Sequence, residues 1–182
     1  MEEDNLIQEK KLNNIQHIII YFFIYSFLGW AMETAYAFAW HHTFINRGFL
    51  YGPLCPLYGW AAVILIVSLS QYRKKPFKLF FISIIVFSIF EYLVGFCLDA
   101  CFDQKIWWDY TNDFLNLNGR ISIMYSLSWG IISIVYINYI HPFIEKTVNW
   151  FISKIPYVIM NIGIRVLIVY YILDTAFSFL RY

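Results

Sequence analysis

Charge is what this 182-residue chain has least of: only 14% of its residues are Asp, Glu, Lys or Arg, against roughly 25% in an average soluble domain. With 60% of the residues hydrophobic, that shortage excludes an ordinary water-soluble fold. A net charge of +1 is too small for a nucleic-acid partner. Cysteine is also scarce: Cys55, Cys97 and Cys101 are an odd number without Cys-x-x-Cys spacing or a companion His cluster. Neither a disulfide scaffold nor a metal site is expected, and no cofactor is called for. The chain has no Gly-x-x-x-x-Gly-Lys-Ser/Thr phosphate loop, so it carries no ATPase site of its own.

What is there is apolar and aromatic. Phe, Tyr and Trp make up 22% of the chain, as rings that pack between helices and anchor both membrane interfaces would require. After a polar start over residues 1–16, apolar runs lie at about 18–40, 54–69, 79–101, 121–140 and 157–180, each near the roughly 20 residues that span hydrocarbon. The first is too long for a signal peptide and lacks its small-residue cleavage site. The fold expected is all-α: a polytopic membrane helix bundle of about five transmembrane helices, forming one domain over residues 17–182. Between the last two spans, Pro142 to Ile155 sets Ile144, Val148, Phe151, Ile152 and Ile155 opposite Glu145, Lys146, Asn149 and Lys154, the pattern of an interfacial amphipathic helix.

Lysine and arginine bias gives the orientation. With the N-terminus inside, the inner segments hold Lys10, Lys11, Arg73, Lys74, Lys75, Lys78, Lys146 and Lys154, and the outer ones Arg47, Lys105, Arg120 and Arg181. The N-terminus is therefore expected in the cytoplasm and the C-terminus outside. The Ile, Phe, Tyr, Asn and Lys content resembles that of an AT-rich bacterial genome, which places the chain in a bacterial cytoplasmic membrane. Membrane lipids are its first partners, and the Arg73 to Lys78 turn suits anionic head groups.

Polar residues inside the spans cost about 2.5 to 3.5 kcal/mol each when charged, so they mark protein interiors or aqueous cavities. Ser26, Gly29, Glu33 and Ala37 follow helical steps in the first span, as do Ser88, Glu91, Gly95 and Asp99 in the third and Ser122, Ser126, Gly130 and Ser133 in the fourth. Such small-residue stripes permit close helix approach, and the three helices are expected to surround one polar interior in which Glu33 and Glu91 face each other or a shared donor. Counted at 1.5 Å per residue, Glu33 and Asp174 fall roughly 8 to 9 Å toward the outer side and Glu91 within about 3 Å of the midplane. Arg165 and Asp174 lie on opposite faces of the last span. The same acids could equally serve structure, pairing with Arg, Tyr or Trp to fix helix register.

Two connections are irregular. One reads Asn46-Arg47-Gly48-Phe49-Leu50-Tyr51-Gly52-Pro53-Leu54-Cys55-Pro56-Leu57-Tyr58-Gly59, whose glycines and prolines preclude a simple helix entry. A bent, partly re-entrant segment is expected, tolerable at membrane depth only when buried in protein or lining water. The other carries Trp107-Trp108-Asp109-Tyr110 and Asn116-Leu117-Asn118-Gly119-Arg120; its rings also fit an interfacial belt, and Asn118-Gly119 a plain turn.

These segments, with Gly29-Trp30-x-x-Glu33 and Glu91-Tyr92 and a looser match around Asp174, resemble the putative ABC-transporter type IV family, the CmpB-like membrane proteins, over about residues 20 to 142. Trp40-His41-His42 departs from the family pattern. The resemblance implies a permease-like subunit and supplies no functional residues of its own; the intramembrane acids and the two irregular connections point to a polar interior open to the outside, formed by Glu33, Arg47, Glu91, Asp99, Trp107, Asp109, Asn118, Arg120 and Asp174. It would work with a separate ATPase subunit or as a homo-oligomer. A non-catalytic assembly or regulatory protein is the alternative. Third comes an intramembrane enzyme for a lipid or lipid-linked substrate, with Glu33, Glu91 or Asp99 as acid or base and Arg47 or Arg120 on a phosphate.

Overall fold

The computed structural model describes residues 12–102 and 108–180. Helix α1 (Asn14–His41) begins at a reciprocal cap in which the Asn13 side chain accepts from the Gln16 amide and the Gln16 side chain from that of Asn13, satisfying two of the donors that open every helix. It is followed by α2 (Pro56–Ile64, extended by a wide π turn over Leu65–Leu69 and a tight turn to Tyr72) and α3 (Pro76–Phe102). A two-residue hairpin, β1 (Asn116–Leu117) and β2 (Ile121–Ser122), precedes α4 (Ile123–Val135), a second π turn (Tyr136–Ile140), α5 (His141–Ile152) and α6 (Tyr157–Phe179).

Among the described residues, four helical stretches are long and apolar enough to cross a membrane: Asn14–His41, Pro76–Phe102, Ile123–Ile152 and Tyr157–Phe179, with Pro56–Tyr72 as a shorter apolar helix. The all-α membrane architecture expected from the sequence is therefore present, and the chain is an integral membrane protein. Two details differ. The second apolar segment is a helix of only Pro56–Tyr72, shorter than the other four spans, and the amphipathic stretch at 142 continues α4 without a break. Pro142 supplies no amide to the Asn138 carbonyl four residues earlier; the Arg73 guanidinium donates to that oxygen instead, at 3.5 Å. Along α5, Val148 is buried and Ile144 and Ile152 half-buried, while Phe151 and Ile155 stay exposed.

The chain forms two compact units, residues 1–63 with 145–182 and residues 64–144. In the first, α6 packs on α1, and Phe22, Phe23, Leu50 and Leu54 form a buried cluster flanked by Ile19, Phe49, Val63, Ile168 and Tyr171. Leaving α1 at His42, the chain is non-helical until Pro56. There the Cys55 amide donates to the Ser26 carbonyl at 2.9 Å, fifteen residues back along α1, or about 22 Å of helix. The start of α2 then runs along the N-terminal half of α1. Gly59 leaves no room for a side chain beside Ser26 and Phe22, and the Phe22 and Trp60 rings meet at 5.2 Å. The loop thus descends to the middle of α1 before helix resumes, which is the bent re-entrant path its composition predicts.

In the second unit α3 packs against α4 through the two small-residue stripes. The Ser88 and Ser126 hydroxyls share a hydrogen bond of 2.8 Å. A side chain at Gly130 would overlap the Phe80 ring, so glycine is what allows the helices this close. Phe87 is fully buried and stacks on Trp129 at 4.7 Å. Ser122, Ser126, Gly130 and Ser133 are all buried, as are Glu91 and Gly95.

Candidate functional site

Each unit carries one polar cluster, built where a non-helical segment folds back onto the long helix before it. In the first, Glu33 on α1 accepts from the Tyr58 hydroxyl at 2.8 Å and faces the Arg47 Nε at 3.7 Å. The two charged side chains are 28% and 48% exposed, an open and loosely held pair. Tyr58 is positioned by close packing: its ring occupies the space that a side chain at Gly29 would need. Asn46 joins the loop to the helix, accepting from Trp30 Nε1 at 2.6 Å and donating to the Tyr51 carbonyl at 2.8 Å.

Asp174 belongs to the same unit, in a different role. Its carboxylate accepts the Tyr51 amide at 3.0 Å and the Gly52 amide at 2.9 Å, while Ser178 Oγ takes part of the first donor at 3.2 Å. Peptide groups in an apolar surrounding cost free energy unless hydrogen-bonded, and this buried acid supplies the acceptor for two of them. Gly52 is required here, because a side chain would collide with the Tyr170 hydroxyl. Tyr51, Gly52, Tyr170, Leu173, Asp174, Phe177 and Leu180 line a shallow groove of about 710 Å³.

The second cluster sits on the C-terminal half of α3. Glu91 is 6% exposed and accepts from the Tyr110 hydroxyl at 3.0 Å; its other oxygen has no hydrogen-bond partner among the described residues. Tyr110 stacks on Tyr125 with ring centres 4.3 Å apart. Burial, and after it the Glu91 carboxylate, pushes the Tyr110 hydroxyl above its ordinary range, so it stays a donor. Two turns above Glu91, Asp99 pairs with Arg120 Nε at 2.8 Å, both side chains about one-fifth exposed at 21% and 19%. The guanidinium also lies over the Tyr92 and Phe96 rings and donates to the Tyr92 hydroxyl at 3.4 Å. Asn118 donates to the same hydroxyl at 3.0 Å, and Trp108 to the Arg120 carbonyl at 2.9 Å.

The segment that delivers these groups is tied mainly to itself. Its turn has two central residues with positive φ, Asn118 at 55° and Gly119 at 68°, which fits the Asn-Gly pair. Asn116 accepts the Gly119 amide and donates to the Thr111 and Asp113 carbonyls. Asp109 caps the Thr111 amide and hydroxyl.

Of the residues singled out in the sequence, Glu33 and Arg47 come together in one unit, Asp99, Arg120 and Asn118 in the other, and Glu91 joins the latter through Tyr110. Asp109 is exposed and shapes its own loop, and Trp107 lies outside the described residues. Sequence reasoning missed Trp30, Asn46, Ser178 and Tyr92 as hydrogen-bonding partners, along with both tyrosine donors. Asn46 and Tyr58 stand inside the long irregular motif, which was the available signal; Tyr110 closes the Trp-Trp-Asp-Tyr run.

No curated protein and no solved structure shows a significant match to this chain. Residues 20–179 do match a family described as Putative ABC-transporter type IV, a span that takes in both clusters and all of the long helices except the first six residues of α1. The chain is a member of that family, a membrane protein of transporter type.

Proposed function

We propose that the protein is a permease-like subunit whose polar interior, opening toward the extracytoplasmic side, takes a substrate past Glu33 and Arg47. The observation that carries this reading is the open charge pair beside a non-helical segment reaching the middle of α1. A guanidinium and a carboxylate that are partly exposed within the length of a membrane helix need water or a polar solute around them, and irregular backbone at that depth normally lines such a space. Residues 42–72 then complete one crossing as half loop and half helix. With α1, α3, the continuous helix from α4 through α5, and α6, that makes five crossings, and the lysine and arginine bias favours an N-terminus in a bacterial cytoplasm. ATP-driven work requires a separate ATPase subunit.

The test is aqueous access. In a chain whose three cysteines are replaced by serine, single cysteines at positions 33 and 47 are treated with a membrane-impermeant thiol reagent from the outer face. The permease reading expects both to react, and position 74 to react only from the inner face. Protection of positions 33 and 47 from both sides overturns it. A second reading, a non-catalytic assembly or regulatory protein, draws support from Asp174, whose acid is spent on holding the loop. Protection at 33 and 47 favours that reading.

A further inference from the structure

Glu33 and Arg47 are held close together and yet not joined. Nε of Arg47 stands 3.7 Å from Oε2 of Glu33, beyond hydrogen-bond reach. Among the described residues the only hydrogen bond made by the two side chains is the one that Glu33 Oε1 accepts from Tyr58, so the guanidinium donors and the second carboxylate oxygen are open. Their neighbours are fixed. Tyr58 fills the space left by Gly29, and Asn46, next to Arg47 in the chain, is bonded both to Trp30 and to the Tyr51 carbonyl. A loose pair between anchored neighbours leaves a gap flanked by opposite charges.

The signs on the two sides of the gap select its occupant. A simple anion drawn to Arg47 meets the Glu33 carboxylate at close range, and a simple cation drawn to Glu33 meets the guanidinium; like charges so near each other repel. A molecule carrying both signs turns each repulsion into a second attraction. Its ammonium faces Glu33 Oε2 and its acidic group the guanidinium, whose planar fork matches carboxylate and phosphate oxygens. The cationic end also has an aromatic surface at hand. Tyr36 and Trp40 lie three and seven residues beyond Glu33 on the same side of α1. They stack with ring centres 6.3 Å apart and are 70% and 73% exposed, a surface of the kind that attracts ammonium groups.

We propose that Glu33 and Arg47 bind the zwitterionic head of the transported molecule, an ammonium and a carboxylate or phosphate borne a few bonds apart. The assignment rests on the permease reading and names its substrate class. The two fail separately: reagent access at positions 33 and 47 without zwitterion binding removes the class alone, whereas protection of both positions removes the path as well. The test is calorimetric titration of the purified full chain with glycerophosphoethanolamine, the head of a zwitterionic lipid, and with glycine, a free solute of the same charge pattern. Methylammonium, acetate and dimethyl phosphate, which carry one charge each, are titrated beside them. At least one zwitterion is expected to bind about tenfold or more tightly than every single-charge probe; the tighter of the two identifies a lipid head or a free solute as the source. Arg47→Gln should abolish that margin by bringing the zwitterion down to the level of methylammonium, and Glu33→Gln by bringing it down to the level of its own acidic half. An unmutated chain that binds neither zwitterion, or binds a single-charge probe as tightly, overturns the proposal even where a variant fails to fold. So does a margin that survives both substitutions.

Discussion

Two non-helical segments fold back on long helices in this protein, and they satisfy their backbones by opposite means. Residues 42–55 have no regular structure, and their polar groups find partners on other elements: the Ser26 carbonyl for Cys55, the Asp174 carboxylate for Tyr51 and Gly52. Residues 108–122 close on themselves through a hairpin, an Asn-Gly turn and the Asn116 and Asp109 side chains. They touch α3 through side chains, Tyr110 on Glu91, Arg120 on Asp99 and both Asn118 and Arg120 on Tyr92. A segment of the first kind owes its shape to distant residues and can be lost through one of them. The second keeps its local shape and risks only its docking.

The sharpest break of this comparison is Asp174→Ala. It strands the Gly52 amide in an apolar setting, at about 1 to 3 kcal/mol, and leaves the Tyr51 amide to the Ser178 hydroxyl at 3.2 Å; it should open residues 42–55 to protease in detergent while residues 108–122 stay protected. The reverse pattern is expected for Arg120→Gln, which breaks the ion pair with Asp99: the hairpin segment loosens from α3, and a double-mutant cycle with Asp99→Asn shows the two losses to be less than additive. Gly119→Ala tests the self-contained turn alone. Its φ of 68° disfavours a side chain by about 1 kcal/mol, so the unfolding midpoint should fall slightly without new cleavage at 42–55. Smallest is Arg47→Gln, whose exposed pair at 3.7 Å is worth under about 1 kcal/mol; stability should hold while transport, assayed in the same preparation, is lost. Should Asp174→Ala prove as mild as Arg47→Gln, the contrast between the two segments fails.

The spans and the buried stripes could be read in the sequence because each rests on local period: Ser122, Ser126, Gly130 and Ser133 mark the buried side of α4 by spacing alone. The irregular entry to α2 was also legible, since Gly48, Gly52, Pro53 and Pro56 speak against helix directly. The partner of that loop was not. Asp174 looked like one more intramembrane acid, and nothing local ties it to amides more than 120 positions earlier. Pro142 misled in the other direction. It reads as a helix start, yet the preceding π turn and Arg73 let the helix run through it. Among 15 tyrosines, only their place in the two irregular motifs set Tyr58 and Tyr110 apart, and nothing local named the acids they donate to.

The bond between Asp174 and the loop amides also bears on how the protein is made. Between Gly52 and Asp174 lie 122 positions, which at 5 to 20 residues per second take roughly 6 to 25 s to synthesise. For that interval α1 can already sit in the bilayer while the segment after it has no acceptor for its amides and only a short apolar helix to draw it in. Such a segment is expected to wait in water or against the insertion machinery, and to settle beside α1 only when α6 arrives. The first re-entrant turn in the chain would then be among the last parts of the molecule to reach its final depth.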